Sequence, residues 1–395
     1  MCQRLFVLLV AVLWLVAAPL FAQQPCPSFS VTVGSDEDHL MLAINGADNP
    51  QEQLAALDKF AAEHADSKFL TCVNEYYATI NLKQNNFDKS IEYAEKDLAA
   101  NYQDLNLLLA LMRAYVSSAK VSDAVFDAIN KVPEQATAET KSSRPANASD
   151  ADWDKIQKEA AELNKDSRAY AVYAFFQILP RVTDGAKRVQ ILDNFAKAFP
   201  DAEKEYGGQL NGGYFDAYRM QNQVEKAVEY GEKSVAADPN NLVVTNTLAF
   251  IYAFGSAHPS LDKASQYAQK AVALATDMKK PDGVDDALFK KEQNNQLGMA
   301  HLTLGYAAFV KATQGTQTKK LEPAITELQT AANLLDTNPP VQGQALYYLA
   351  YAYERGYPAN HRGAIEALSK AETLPGPFQA QAKDLLAKVR AAAKQ

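Results

Sequence analysis

The stretch Tyr218–Asn241 constrains the fold more than any other part of the chain. Its sequence, YRMQNQVEKAVEYGEKSVAADPNN, has the pattern of a helix end, a tight polar turn, and a second amphipathic helix that a proline ends. Ser90–Asp104 matches Ala227–Asn241 at an offset of 137 residues, and Ala56–Ser67 matches Ile191–Ala202 at an offset of 135. Self-similarity at a nearly fixed offset is typical of a solenoid, so we expect an array of stacked helical hairpins.

Similar helical patterns continue through most of the remaining sequence. Glycine and proline number only 17 each in 395 residues, which favours helices over turn-rich β structure, and we predict an all-α fold with no β-sheet of note. The predicted divisions are a signal peptide at 1–22, an extended lead-in at 23–36, an N-terminal helical array at 37–132, a polar linker or loop at 133–151, a C-terminal array at 152–377 and a capping helix at 378–395.

The hairpins resemble the tetratricopeptide repeat (TPR), a unit of about 34 residues. The similarity rests on large residues in the first helix of each hairpin, on small residues where the second helix must approach the first closely, and on a proline at the end. It covers about three-quarters of the chain after the predicted signal peptide. The residues that carry it include Tyr218, Ala227, Ser234, Pro239, Leu248, Ala249, Tyr252, Ala264, Ala271, Leu304, Gly305, Ala324, Ala331, Leu349, Ala350, Tyr353, Ala364 and Ala371. The resemblance implies a right-handed superhelix of antiparallel helix pairs.

The N-terminus has the features of a secretory signal peptide. Arg4 supplies a short positive region, Leu5–Val16 is an unbroken apolar run, and small residues before Gln23 predict cleavage after Ala22. We therefore expect an exported protein, periplasmic or associated with the envelope of a bacterium; the alternative is that the uncleaved run anchors the chain in a membrane. After cleavage two cysteines remain, Cys26 and Cys72, which either form one disulfide bond or stay as two thiols.

No stretch carries a recognisable catalytic or cofactor motif. The phosphate-binding loop, the HExxH zinc motif, the GxSxG elbow and the CxxC pair are all missing from the sequence. The five histidines are scattered, and none has a second histidine at helical spacing, so we expect no metal, no cofactor and no enzymatic activity. The formal net charge of -8, without a basic stripe, argues against nucleic acid and against direct binding to anionic lipid.

The TPR resemblance also implies where a partner would bind, because the first helices of TPR hairpins line the concave face of the superhelix. Carried over to this chain, that face is charged in the N-terminal half and aromatic in the C-terminal half. An aromatic groove with a few polar groups suits an extended peptide or a partner helix. The alternative is that these rings only pack between adjacent repeats. The predicted groove residues are Asn246, Phe250, Phe254, Tyr306, Phe309, Tyr347, Tyr351 and Arg355.

The sequence therefore predicts a non-catalytic scaffold or adaptor of the bacterial envelope that holds a protein or peptide. A subunit of an outer-membrane assembly or secretion complex is a second hypothesis. A third is an enzyme whose site is built from scattered acidic residues and histidines. A fourth is a structural spacer or oligomer, which would leave the concave face plain.

Overall fold

A computed structural model describes residues 32–393 apart from 48, 66, 68–69, 100–103, 141–143, 145–147, 256–258 and 315–320. Within these residues the chain forms seventeen α-helices and no β-strand, which confirms the all-α prediction. The described residues divide into two compact units, one ending at Tyr206 and the other beginning at Gly207. We call them the N-terminal and C-terminal units.

The N-terminal unit is built from consecutive helices that short turns connect. Each helix packs against its neighbour in the sequence, from α1 on α2 through α6 on α7. The core of this unit includes the fully buried Leu57 and Phe60 on α2 and Phe175 and Phe195 on α7 and α8. The helices are α1 (Asp36–Gly46), α2 (Pro50–Glu63), α3 (Leu70–Lys83), α4 (Phe87–Ala99), α5 (Leu105–Ser117), α6 (Asp123–Thr140), α7 (Asp150–Ile178) and α8 (Gly185–Ala198), with a 3-10 turn at Leu179–Arg181.

The C-terminal unit continues the same plan. Its first helix, α9 (Ala202–Met220), is interrupted by non-helical backbone at Tyr206, the residue at which the two units divide. The remaining helices are α10 (Val224–Ala237), α11 (Leu242–Phe250) with a π-helical turn at Ile251–Gly255, α12 (Leu261–Thr276), α13 (Asp286–Thr313), α14 (Glu322–Leu334), α15 (Pro339–Arg355), α16 (His361–Ala371) and α17 (Gln379–Ala392).

Small residues lie where two helices of a pair approach closely, as the repeat pattern predicts. Ala227 and Ser234 on α10 are completely buried, and the Ser234 hydroxyl donates a hydrogen bond of 2.7 Å to the carbonyl of Gly208 on α9. At Gly305 on α13, a Cβ atom would lie 2.6 Å from Leu328 Cγ on α14. These contacts explain why larger residues at these positions would force the helices apart.

The first helices of successive pairs also touch each other in the C-terminal unit. Helix α11 contacts α13, α13 contacts α15, and α15 contacts α17. Each second helix lies between the first helix of its own pair and that of the next, as α12 does between α11 and α13. The sides of α11, α13, α15 and α17 that face away from the second helices therefore form one continuous surface.

Equivalent side-chain contacts recur at the predicted offset of 137 residues. Each half has a stacked tyrosine pair, a lysine over the second ring of that pair and a tyrosine that donates to a glutamate. The matched contacts are Tyr77–Tyr93 and Tyr214–Tyr230, with ring centroids 4.4 and 4.7 Å apart; Lys96 over Tyr93 and Lys233 over Tyr230, both at 4.6 Å; and Tyr115–Glu95 and Tyr252–Glu232, at 2.6 and 2.7 Å. The two hairpins thus share contacts as well as sequence.

The predicted linker at 133–151 is wrong in its first part. Helix α6 continues through Pro133 to Thr140, so that only residues 141–149 separate it from α7. Pro133 disfavours a helix locally because it has no N–H to donate. Val132 and Ala136 on either side are buried, and Asn164 of α7 donates to the Ala136 carbonyl, so packing on α7 outweighs that cost. The two compact units also divide inside α9 rather than at this linker.

The signal peptide and most of the predicted lead-in lie outside the described residues, as do Cys26 and the side chain of Cys72. None of the helices in the described part of the chain has the length and apolar character needed to cross a membrane.

Candidate protein-binding surface

Seven aromatic side chains form a connected strip on the continuous surface of the C-terminal unit. We call this strip the aromatic row. Neighbouring ring centroids within it are 4.3 to 5.9 Å apart, and all seven side chains are partly buried, so that each ring packs on its neighbours while keeping part of its surface accessible. Its members are Phe250, Phe254, Tyr306, Tyr347, Tyr348, Tyr351 and Phe378.

Helix α11 and the π-helical turn that follows it place the first two rings. Phe250 and Phe254 lie one turn apart, with centroids 4.6 Å apart. The same π-helical turn directs Tyr252 elsewhere, into the core, where its hydroxyl reaches Glu232. Local π-helical turns are often found at functional sites, and this one allows Phe254 to reach the row while Tyr252 is buried.

Helices α13 and α15 supply the centre of the row. The Tyr306 ring lies 4.3 Å from Phe254 and 4.8 Å from Tyr348, measured between centroids. Tyr348 in turn contacts Phe254, Tyr347 and Phe378 at 5.9, 5.6 and 5.7 Å. Tyr348 therefore has more ring neighbours in the row than any other member. The row joins rings from α11, α13, α15 and the start of α17.

The row is electrically neutral but carries hydroxyl groups. Burial raises the pKa of Tyr348 to about 12. Burial, followed by a hydrogen bond with Tyr351, also raises the pKa of Tyr347. These hydroxyls therefore stay protonated at neutral pH and can donate hydrogen bonds at the edge of an apolar strip. At the C-terminal end of α15, Glu354 pairs with His361 Nδ1 at 2.9 Å, and Arg355 is exposed.

Five of the eight predicted groove residues belong to the row: Phe250, Phe254, Tyr306, Tyr347 and Tyr351. Phe309 is partly buried against the core formed by α13 to α17. Asn246 is a correction, because its side chain is 1% exposed and cannot line an open groove. It donates from Nδ2 to the carbonyl oxygen and to Oε1 of Gln296 on α13, at 2.8 and 2.9 Å, and so ties α11 to α13.

Sequence reasoning missed two members of the row, Tyr348 and Phe378. The concave positions of the repeat select Tyr347 and pass over its neighbour Tyr348, although adjacent helical residues differ in direction by only about 100° and both can reach one broad surface. Phe378 lies outside any repeat helix, in the turn before α17. The Gly376-Pro377 dipeptide before it was the only local sign of a turn at this point.

The hypothesis of an enzyme built from scattered acids and histidines predicted that these side chains converge. Across the described ranges, no group of three or more His, Cys, Asp or Glu side chains is arranged to hold a metal ion. His301 forms a pair with Glu327 at 2.5 Å, between α13 and α14, and His361 pairs with Glu354. Each histidine thus joins two elements within its hairpin.

Comparison with known proteins gives limited guidance. No protein-family model matches the chain, and no curated protein sequence matches it. Among solved structures, it is similar to the crystal structure of the C-terminal part of a TPR repeat-containing protein from Cytophaga hutchinsonii. The two are 17% identical with a TM-score of 0.36, and the alignment covers 78% of this chain and 98% of the other. This level of similarity establishes neither family membership nor function.

Proposed function

We propose that this protein is a non-catalytic scaffold that binds another protein through the aromatic row. The observation that carries the proposal is the row itself: a connected strip of partly exposed rings on the surface that α11, α13, α15 and α17 share. Aromatic residues are enriched at the centres of protein interfaces, where they contribute much of the binding energy. The neutral character of the row favours a partner that presents apolar side chains.

The setting we propose is the envelope or periplasm of a bacterium. Support for this comes from residues 1–22, which have the charge, apolar run and small residues of a signal peptide. A scaffold there would hold an extended peptide or a helix of an envelope protein.

The rings also pack against one another between helices, so the alternative that they serve packing alone must be separated from binding. Replacement of Phe254, Tyr306 and Tyr351 by Ala removes three rings from α11, α13 and α15. The matched control is Tyr218→Ala, which removes a partly buried ring that stacks on Tyr230 away from the row.

Proteins retained from an extract of the native host by the wild type and by the control, but lost by the triple variant, would be purified and titrated by calorimetry. We expect the triple variant to bind them at least about tenfold more weakly, because each lost interface ring removes about 1 kcal/mol or more. The far-UV helical signal should persist in both variants. Equal binding by the folded triple variant would contradict the proposal.

A further inference from the structure

One ring of the aromatic row does not come from a helix that lines the surface. Phe378 belongs to the turn Gly376-Pro377-Phe378, which crosses from α16 to α17. Its ring lies 5.2 Å from Tyr347 at an interplanar angle of 49° and 5.7 Å from Tyr348 at 60°. The row therefore already accepts an aromatic side chain that an irregular segment delivers from outside.

The path of that segment depends on Gly376. Its φ of +152° lies in the region that side chains rarely adopt, and a Cβ atom there would lie 2.9 Å from Pro340 Cα at the start of α15. Glycine allows the turn to pass directly over the N-terminus of α15 and to bring Phe378 onto the two tyrosines. The contact is thus a docked arrangement between a turn and the row, made within one chain.

The opposite end of the row has the same composition but no such cover from a turn. Phe254 and Tyr306 form a tilted pair with centroids 4.3 Å apart and an angle of 36°, and both rings are partly exposed. Phe254 also packs against the cores on both sides of it, so its ring is held in place rather than free to rotate. A rigid tilted pair offers the same kind of ring edge and face that Tyr347 and Tyr348 offer to Phe378.

We infer that the partner segment of this scaffold presents an aromatic side chain, which packs on Phe254 and Tyr306 as Phe378 packs on Tyr347 and Tyr348. This inference rests on the proposed function and names the chemistry of its partner. Aromatic pairs gain binding energy beyond the area they bury, so the surface should distinguish phenylalanine from an aliphatic residue of similar size.

The probes are three acetylated and amidated peptides with the sequence of residues 374–381, which differ only at the position of Phe378 and carry Phe, Leu or Ala there. Each is titrated into the full chain and followed by NMR of labelled Phe and Tyr rings. Since Phe378 occupies the Tyr347 end, the open Phe254 end is the site for the peptide. We expect the Phe peptide to bind about threefold to tenfold more tightly than the Leu peptide.

The preference should disappear in the Phe254→Ala/Tyr306→Ala variant and persist in Tyr218→Ala. If the alanine variant fails to fold, the Phe254→Leu/Tyr306→Leu variant keeps the apolar volume and should lose the preference as well. Equal affinity for the Phe and Leu peptides, or a preference that survives in the leucine variant, would overturn the inference. Loss of partner capture by the triple variant without any aromatic preference would leave the proposed function standing alone.

Discussion

Tyr252 donates a hydrogen bond of 2.7 Å from its hydroxyl to Glu232 Oε1. Lys263 Nζ reaches the same carboxylate oxygen at 2.8 Å, so that one glutamate of α10 holds the end of α11 and the start of α12 together. Tyr115 makes the equivalent bond to Glu95, at 2.6 Å, and there Ser122 takes the place of the lysine at 3.1 Å. The contact therefore belongs to the repeated plan of the hairpins.

Tyr252→Phe should lower the free energy of unfolding by about 1 to 2 kcal/mol, because a hydrogen bond to a charged acceptor is lost while Lys263 still pairs with Glu232. Tyr115→Phe should have a similar effect for the same reason. Urea unfolding of the two variants measures both changes. A loss at one position and none at the other would contradict the equivalence of the two contacts.

Gly305→Ala should destabilise the protein by about 1 to 3 kcal/mol, because the added methyl group would overlap the side chain and the backbone nitrogen of Leu328. The control is Gly212→Ala on α9, where the nearest atom to a Cβ is Ser234 Oγ at 3.4 Å. Alanine there should be neutral or stabilise by up to about 1 kcal/mol, since it favours helix over glycine. Thermal unfolding that shows the same change for both substitutions would refute the close approach at Gly305.

Asp97 should make stability depend on pH. Its side chain is completely buried on α4, and burial raises its pKa to about 8, against a lowering hydrogen bond from Asn74 and a raising charge on Glu75. Because the unfolded carboxyl ionises at a lower pH than the folded one, the free energy of unfolding falls as pH rises from about 4 to about 8, by at most about 1.4 kcal/mol per pH unit.

Asp97→Asn should remove most of that slope and stabilise the protein at pH 8. Chemical unfolding at a series of pH values provides the measurement. Asp88→Asn, which removes an exposed carboxylate from the same helix, is the control for the general effect of charge. An unchanged slope in Asp97→Asn would show that other groups cause the pH dependence.

Arg181 should stabilise the C-terminal end of α5. Its Nη1 donates to the carbonyls of Tyr115, Ser118 and Lys120 at 2.5, 2.7 and 2.9 Å, and its Nη2 donates to that of Val116. Arg181→Lys should cost about 1 to 3 kcal/mol, because a single ammonium cannot replace the fork of donors. Hydrogen exchange of the amides at 118–122 should accelerate, whereas Arg113→Lys should leave them unchanged.

The helical pairs were predictable because their evidence is local. Apolar periodicity, the small residues Ala227 and Ser234, and the terminal Pro239 all lie within one hairpin, and the offset of 137 residues follows from comparing two such hairpins. The aromatic character of the surface was also predictable, since Phe250, Phe254 and Tyr306 occupy the positions that the repeat directs to one face.

The remaining features depend on partners that are distant in sequence. Helix α6 passes Pro133 because of burial against α7, which no local rule contains. Asn246 is buried because Gln296, fifty residues later, reaches it on a neighbouring helix. Phe378 joins the row because Gly376 lets a turn cross the start of α15. Helical periodicity gives the direction of a side chain but not what the next helix places opposite it.

The packing of each helix on its neighbours in sequence has a consequence for how this protein forms and how it can change. Since most pairings join elements that are close along the chain, contact order is low, and such topologies fold quickly from local nuclei. A hairpin gained by gene duplication would extend the surface of first helices without rearranging the core elsewhere. The length of the aromatic row is thus a property that evolution, or an engineer, can adjust one hairpin at a time.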